Sequence, residues 1–120
     1  VGILRHVRVE VIVSGLKGSE RTKALIDTGA TCSMLPMDLA KRIGVIETPL
    51  VEEVKFADGS IKRLPVCLCY TELGGRRTVS KVLLGSDEPI LGVLEMEAMG
   101  LKVDSATGAI EFTRGYEARA

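Results

Sequence analysis

Tryptophan is absent from this 120-residue chain and Phe and Tyr number two each, which leaves no aromatic platform for stacking single-stranded bases. There is one histidine, His6, so a Ser-His-Asp or Cys-His machine would have to be built around it. It stands among alternating valines with no acid or nucleophile in its sequence context. Lys plus Arg and Asp plus Glu balance at 16 each, so no net field favours nucleic acid or an anionic membrane. No apolar run approaches the roughly 20 residues that cross a bilayer, and no P-loop or dinucleotide glycine pattern occurs. Three cysteines, Cys32, Cys67 and Cys69, cannot complete a disulfide framework and lack the C-x-x-C spacing that preorganises zinc. They are expected to be reduced, packed thiols, with Cys67 and Cys69 on one face of a strand and Cys32 beneath a loop. The N-terminus lacks the continuous apolar stretch of a signal peptide, so a cytoplasmic location is expected. No metal, cofactor, nucleic-acid partner or membrane association is expected either.

What is present is mostly period two. Val7, Val9, Val11 and Val13 alternate with other residues and predict a strand with one apolar face. Gly15 to Ser19 reads as a turn and Thr22 to Ile26 as a second strand, completing a hairpin. A short extended piece, Cys32 to Leu35, precedes Pro36, which opens a helix over Met37–Ile43 closed by Gly44. Val51 to Tyr70 reads as a long hairpin folded at Asp58-Gly59. Gly74-Gly75 marks the next reversal and Thr78 to Leu84 the next strand. Pro89 to Gly92 is tight and apolar, and it enters a second short helix over Val93–Met99 that stops at Gly100. Glu95 and Glu97 are expected on the solvated face of that helix. A last hairpin joins Leu101–Asp104 to Ala109–Phe112 through Ser105–Gly108. These elements predict an all-β, closed barrel-like domain over residues 1–113 with one or two short helices, followed by a tail over 114–120.

One segment carries chemistry: Ala24-Leu25-Ile26-Asp27-Thr28-Gly29-Ala30 delivers an acid from an apolar strand directly into a glycine turn. A carboxylate there needs backbone N–H groups or a hydroxyl to offset its desolvation. Thr28 offers the hydroxyl, and Gly29 permits close backbone approach. As a bare tripeptide, Asp-Thr-Gly is equally an Asx-type turn with no chemical role. Two downstream features alter that balance: the long hairpin through Val54–Lys62, and Ile90-Leu91-Gly92 entering a short helix.

In this order and spacing, from Val7 to Leu101, the chain resembles the retropepsins, the retroviral-like aspartic proteases. It is most similar to archaeal and bacterial members with a Leu-Pro helix after the acid loop. The resemblance implies an acid-protease fold and a symmetric homodimer, because one chain carries one such acid. It implies that Asp27 is the catalytic carboxylate, that Thr28 braces the two loops across the dimer and that Gly29 meets the substrate. It also implies a flap at Phe56, Ala57, Asp58, Gly59 and Ser60 that closes over an extended peptide, with Ala30 and Leu91 among the substrate-binding residues. Phe56 and Ile61 join Leu91 as expected pocket residues. The implied activity is aspartic endopeptidase cleavage of peptide or protein substrates. The alternative is a dimer of the same fold that binds peptides or mediates assembly without cleaving; a third, weaker one is a monomeric β-barrel interaction domain in which Asp-Thr-Gly is only a turn.

The pattern departs from the viral enzymes in two places. They often carry an acid shortly after Asp-Thr-Gly-Ala and an arginine after the apolar-apolar-Gly element. Here Thr31, Cys32 and Val93 hold those neighbourhoods, so that ion pair is expected to be missing. Both partners are lost together, as they must be if neither is to be buried unpaired. The Val103–Phe112 hairpin is the second departure, standing where viral chains end in a single strand. Of the remaining acids, Asp58 and Asp104 read as turn formers and Asp87 and Glu88 as solvated loop charges, with substrate contact as the lesser alternative for that pair.

Overall fold

The alternating valines do form the expected strand. In the computed structural model, which describes residues 7–104 and 106–113, β1 (Val7–Ser14) buries Val11 and Val13 almost completely. It pairs antiparallel with β2 (Ser19–Ile26), register Val7↔Ile26 through Ser14↔Ser19, so the second strand begins three residues earlier than its apolar pattern suggested. Their turn docks on the end of α1 (Met37–Ile43). Leu16 N–H donates to the Gly44 carbonyl at 2.7 Å and Lys17 N–H to the Ile43 carbonyl at 2.9 Å, satisfying acceptors that a helix end leaves open. The approach is so close that a Cβ on Gly15 would lie 2.4 Å from the Gly44 oxygen.

The rest of the chain closes the barrel. β3 (Ser33–Leu35) runs parallel to β6 (Arg76–Leu84), and β7 (Ile90–Leu91) slots between β2 and β3. β5 (Ile61–Leu73) pairs with β6 and also with β1, at Ile12↔Glu72 to Ser14↔Tyr70. The sheet order β1-β2-β7-β3-β6-β5 therefore returns to β1 as a closed ring, with β4 (Ile46–Lys55) added outside β5. This is the closed, mostly β barrel with two short helices expected from the sequence.

The long hairpin exceeds its expected bounds at both ends: β4 begins at Ile46 through an irregular outer ladder, and β5 runs on to Leu73 through its pairing with β6. The register shifts between Glu47 and Val51, where Pro49 and Pro65 supply no N–H. Thr48 fills the gap: its hydroxyl donates to the Val66 carbonyl at 2.7 Å and accepts from Leu50 N–H at 3.1 Å. At the tip, Asp58 forms the expected turn, its carboxylate accepting from Ser60 N–H and the Ser60 hydroxyl at 2.8 and 2.6 Å. Burial is divided between a main core inside the ring and a smaller cluster of Met34, Val66 and Leu83. Val54, Phe56 and Leu64 pack on that smaller cluster and seat the hairpin over the barrel.

α2 (Val93–Met99) and the last hairpin, β8 (Leu101–Val103) with β9 (Ile110–Phe112), close one end. α2 has no basic residue in its final turn. Arg76 supplies the missing donors from the β5–β6 corner, reaching the Met99 and Gly100 carbonyls at 2.8 and 3.2 Å while its guanidinium lies over the Phe112 ring. Cys67 and Cys69 are buried on the same face, as predicted. The tail over 114–120, His6 and Ser105 of the last turn lie outside the described residues. Among the described residues no helix is long and apolar enough to cross a membrane.

Met99 is fully buried where α2 meets the barrel. Truncation to alanine is expected to cost about 2–5 kcal/mol of unfolding free energy, seen in chemical denaturation as a lower midpoint at unchanged slope.

Candidate active site

Asp27 leaves the end of β2 at the point where that strand lies beside β7. Leu25 N–H donates to the Pro89 carbonyl at 2.9 Å and Asp27 N–H to the Leu91 carbonyl at 3.1 Å, so the acid's backbone is anchored to the inserted strand. The chain then turns: Gly29 N–H donates to Asp27 Oδ1 at 2.9 Å and Ala30 N–H to the Asp27 carbonyl at 3.1 Å. Locally this is the Asx-type turn that the bare tripeptide permits. Its surroundings set it apart. Asp27 is half-buried, Thr28 and Gly29 are exposed, and a Cβ on Gly29 would sit 3.2 Å from Asp27 Oδ1.

The carboxylate opens into a cleft of about 620 Å³ between the loop and the long hairpin. Asp27, Gly29 and Ala30 form its floor, Val54, Phe56 and Ala57 its roof, and Met34, Leu83 and Ile90 its inner wall. On the far side of the hairpin tip, Phe56, Asp58 and Ser60 border a second hollow of about 400 Å³ with Leu25, Met34 and Ile90. The fold thus brings Asp27, Gly29, Ala30, Phe56 and Ala57 around one cleft, and Asp58 and Ser60 around its neighbour. Gly59, at φ +87°, is the open apex of the turn. Leu91 is placed otherwise. It points into the main core at 3% exposure, and Ile90 beside it lines both hollows. Ile61 lies 61% exposed on the hairpin.

Three expectations need correction. Cys32 does not simply pack beneath the loop: it is half-buried, touches the smaller apolar cluster and lines the cleft, its Sγ 4.0 Å from Glu52 Oε2. Glu95 is not on a solvated face. It is 3% exposed, and Ser33 Oγ donates to its Oε2 at 2.5 Å. Ser33, itself buried, accepts from Gly92 N–H at 2.9 Å. Glu97 is exposed, as expected. Sequence reasoning passed over Ser33 and put Glu95 on the wrong face, although one signal was present: Glu95 stands four residues before Met99 and so shares its face. Glu88 is half-buried rather than freely solvated, bound by Arg8 through two contacts of 3.0 Å.

The thiols are poor nucleophiles. Burial pushes Cys69 up to about 11 and raises Cys67. Burial also raises Cys32, against the opposing charge of Lys81, which is itself ion-paired with Glu52. Among the described residues no group of three or more His, Cys, Asp or Glu side chains could hold a metal ion. Asp27 stands at the cleft floor beside Gly29 and Ala30.

A closed β-barrel that presents a strand-end Asp-Thr-Gly loop under a hairpin defines the acid-protease class. Residues 9–98 match the aspartyl protease family model, and the chain belongs to that family. The fold is similar to EIAV protease, solved in complex with the inhibitor HBY-793: TM-score 0.67 at 16% identity, covering 87% of this chain and 97% of that one. No curated protein sequence matches.

Glu95 also gives a signed pH dependence. Burial raises its pKa above 4.5, opposed by the Ser33 hydroxyl and by backbone N–H groups of Glu95, Ser33 and Lys81. The ionisable groups that feel it most directly, Cys32 and Cys69, stay protonated in the acid range. The folded state therefore holds this proton more tightly than the unfolded chain. Stability contributed by the site is present below 4.5 and is lost as pH rises through the raised value. Thermal melts of wild type and Glu95→Gln should diverge across that window, wild type losing ground as pH rises. Parallel curves would show that Glu95 titrates as it does in the unfolded chain.

Proposed function

We propose that this protein is an aspartic endopeptidase, active as a symmetric homodimer, that hydrolyses peptide bonds with water held between two Asp27 carboxylates. The observation that carries this reading is the position of Asp27: one half-buried carboxylate at the cleft floor, with Thr28 and Gly29 exposed beside it. The sequence holds a single Asp-Thr-Gly, so a second acid must come from a second copy. Membership of the aspartyl protease family supports the same chemistry.

Two facing carboxylates cannot both ionise easily, so the pair shares one proton and titrates as a unit. The ionised member takes a proton from water as the water oxygen attacks the scissile carbonyl carbon. The protonated member, Asp27 of the partner subunit, donates to the carbonyl oxygen, giving a neutral gem-diol. Collapse of the diol breaks the C–N bond: the protonated carboxyl gives its proton to the leaving nitrogen while the ionised one takes a diol hydroxyl proton as the carbonyl re-forms, so the pair again holds one proton. No covalent enzyme intermediate is required. The hairpin tip, Phe56 to Ser60, closes over an extended peptide held as an added strand and excludes water from the reacting atoms. Gly29 and Ala30 on the floor, with Phe56 and Ala57 above, contact the substrate.

A peptide library spanning acidic to neutral pH tests this with wild type, Asp27→Asn and Asp27→Ala, each checked for oligomeric state by sedimentation. Wild type should cleave with a bell-shaped pH profile belonging to the pair, and both variants should remain dimers slowed by at least about 10²- to 10⁴-fold. A folded wild-type dimer that cleaves nothing at any pH would favour a peptide-binding or assembly role. A protein that stays monomeric with substrate present would rule out the two-aspartate mechanism.

A further inference from the structure

The Asp27 loop is gripped from outside by the segment that joins β7 to α2. Leu91 accepts the Asp27 N–H, Ala30 accepts the Val93 N–H at 2.8 Å, and Thr31 accepts the Leu94 N–H at 3.1 Å. Gly92 lies at the centre of these bonds, so close that a Cβ would stand 2.6 Å from the Cys32 carbonyl carbon and 2.9 Å from the Ala30 oxygen. Its height above the loop is set by one further bond, from its N–H to Ser33 Oγ at 2.9 Å.

A hydroxyl has one proton and two lone pairs. Ser33 can offer a lone pair to Gly92 in a fixed direction only if its proton is engaged elsewhere. Glu95 Oε2 engages it at 2.5 Å, and both side chains are buried, so no solvent competes. For packing alone, an apolar residue at 95 would be better, because a buried carboxylate carries a desolvation cost that leucine does not. The carboxylate is thus placed where it orients a hydroxyl that sets the segment bonded to the acid.

We infer that Glu95 is a positioning residue for the cleavage reaction: its carboxylate orients Ser33, which fixes Gly92 and through it the Asp27 loop. This rests on the protease reading above. What matters is an acceptor oxygen at position 95 rather than negative charge, since a protonated carboxyl retains one.

The test compares Glu95→Leu, Glu95→Gln, Ser33→Ala and the Ser33→Ala/Glu95→Leu double variant with wild type, by peptide kinetics and by amide NMR of Asp27, Gly29 and Ala30. Glu95→Leu should stay folded and dimeric, with kcat lower by roughly 10- to 100-fold and KM changed little. Glu95→Gln, which keeps an acceptor, should recover most of kcat. The double variant should be no slower than the slower single one, as expected of residues acting as a unit. The three amide resonances should move in Glu95→Leu and return in Glu95→Gln. Wild-type kcat in a folded Glu95→Leu protein, or equal loss in the Leu and Gln variants, would overturn the inference. If Glu95→Leu does not fold, Ser33→Ala decides, and unchanged kcat there counts against it. If wild type itself cleaves nothing, the protease reading fails separately. The amide shifts then decide the positioning role, and shifts unmoved by Glu95→Leu count against it.

Discussion

Everything at the site depends on one steric constraint, the crossing of Gly92 over the loop that carries Asp27. No Cβ fits there, because the Cys32 and Ala30 backbone already occupies the space. That absence lets β7 slide between β2 and β3, so that the acid-bearing strand, the inserted strand and the first turn of α2 share hydrogen bonds. A loop fixed on both sides in this way has little freedom to move its carboxylate. Such preorganisation is what a pair of acids separated by one water would require.

A buried hydrogen-bonded chain ties the crossing together: Glu95 accepts from the Ser33 hydroxyl, which in turn accepts from Gly92 N–H. Where viral relatives often place an acid after the Asp-Thr-Gly-Ala run and an arginine after the glycine, this chain has Thr31, Cys32 and Val93. The tie between loop and helix is made one layer deeper, by Ser33 from β3 and Glu95 from α2. Among the described residues no buried side-chain nitrogen or oxygen is left without a partner, so the change leaves no uncompensated polar group behind. The same economy appears at the ends of the helices. The β1–β2 turn caps α1 through Leu16 and Lys17, and Arg76 caps α2.

Much of the fold was legible in the residues. Alternation marked β1, Asp58-Gly59 marked the hairpin tip, and Pro36 and Gly44 bracketed α1 as the structure has them. Two of the boundaries that moved did so where polar residues extend a ladder, at Ser19 in β2 and at Arg76 in β6, because backbone pairing continues past the apolar pattern that announces it. Glu95 was misread because α2 has seven residues, too few for its apolar stripe to choose between Leu94 and Glu95 by composition alone. Leu94 is 43% exposed while Glu95 is buried, an inversion that only the partners on β3 explain.

The sequence by itself determined the class of fold and the strand-end place of Asp27, since both are written in short-range features: period-two burial, turn glycines and a strand that ends in Asp-Thr-Gly. Tertiary structure alone decided which residues meet across the chain. Ile90 rather than Leu91 faces the cleft because the parallel pairing of β7 with β2 turns Leu91 inward. Ser33 and Glu95, separated by 62 positions, share a hydrogen bond because α2 is folded back against β3. Local propensity is a property of neighbours along the chain. The direction a side chain faces, and what it touches there, follows from strand register and from space left by a missing Cβ, neither of which a linear pattern encodes.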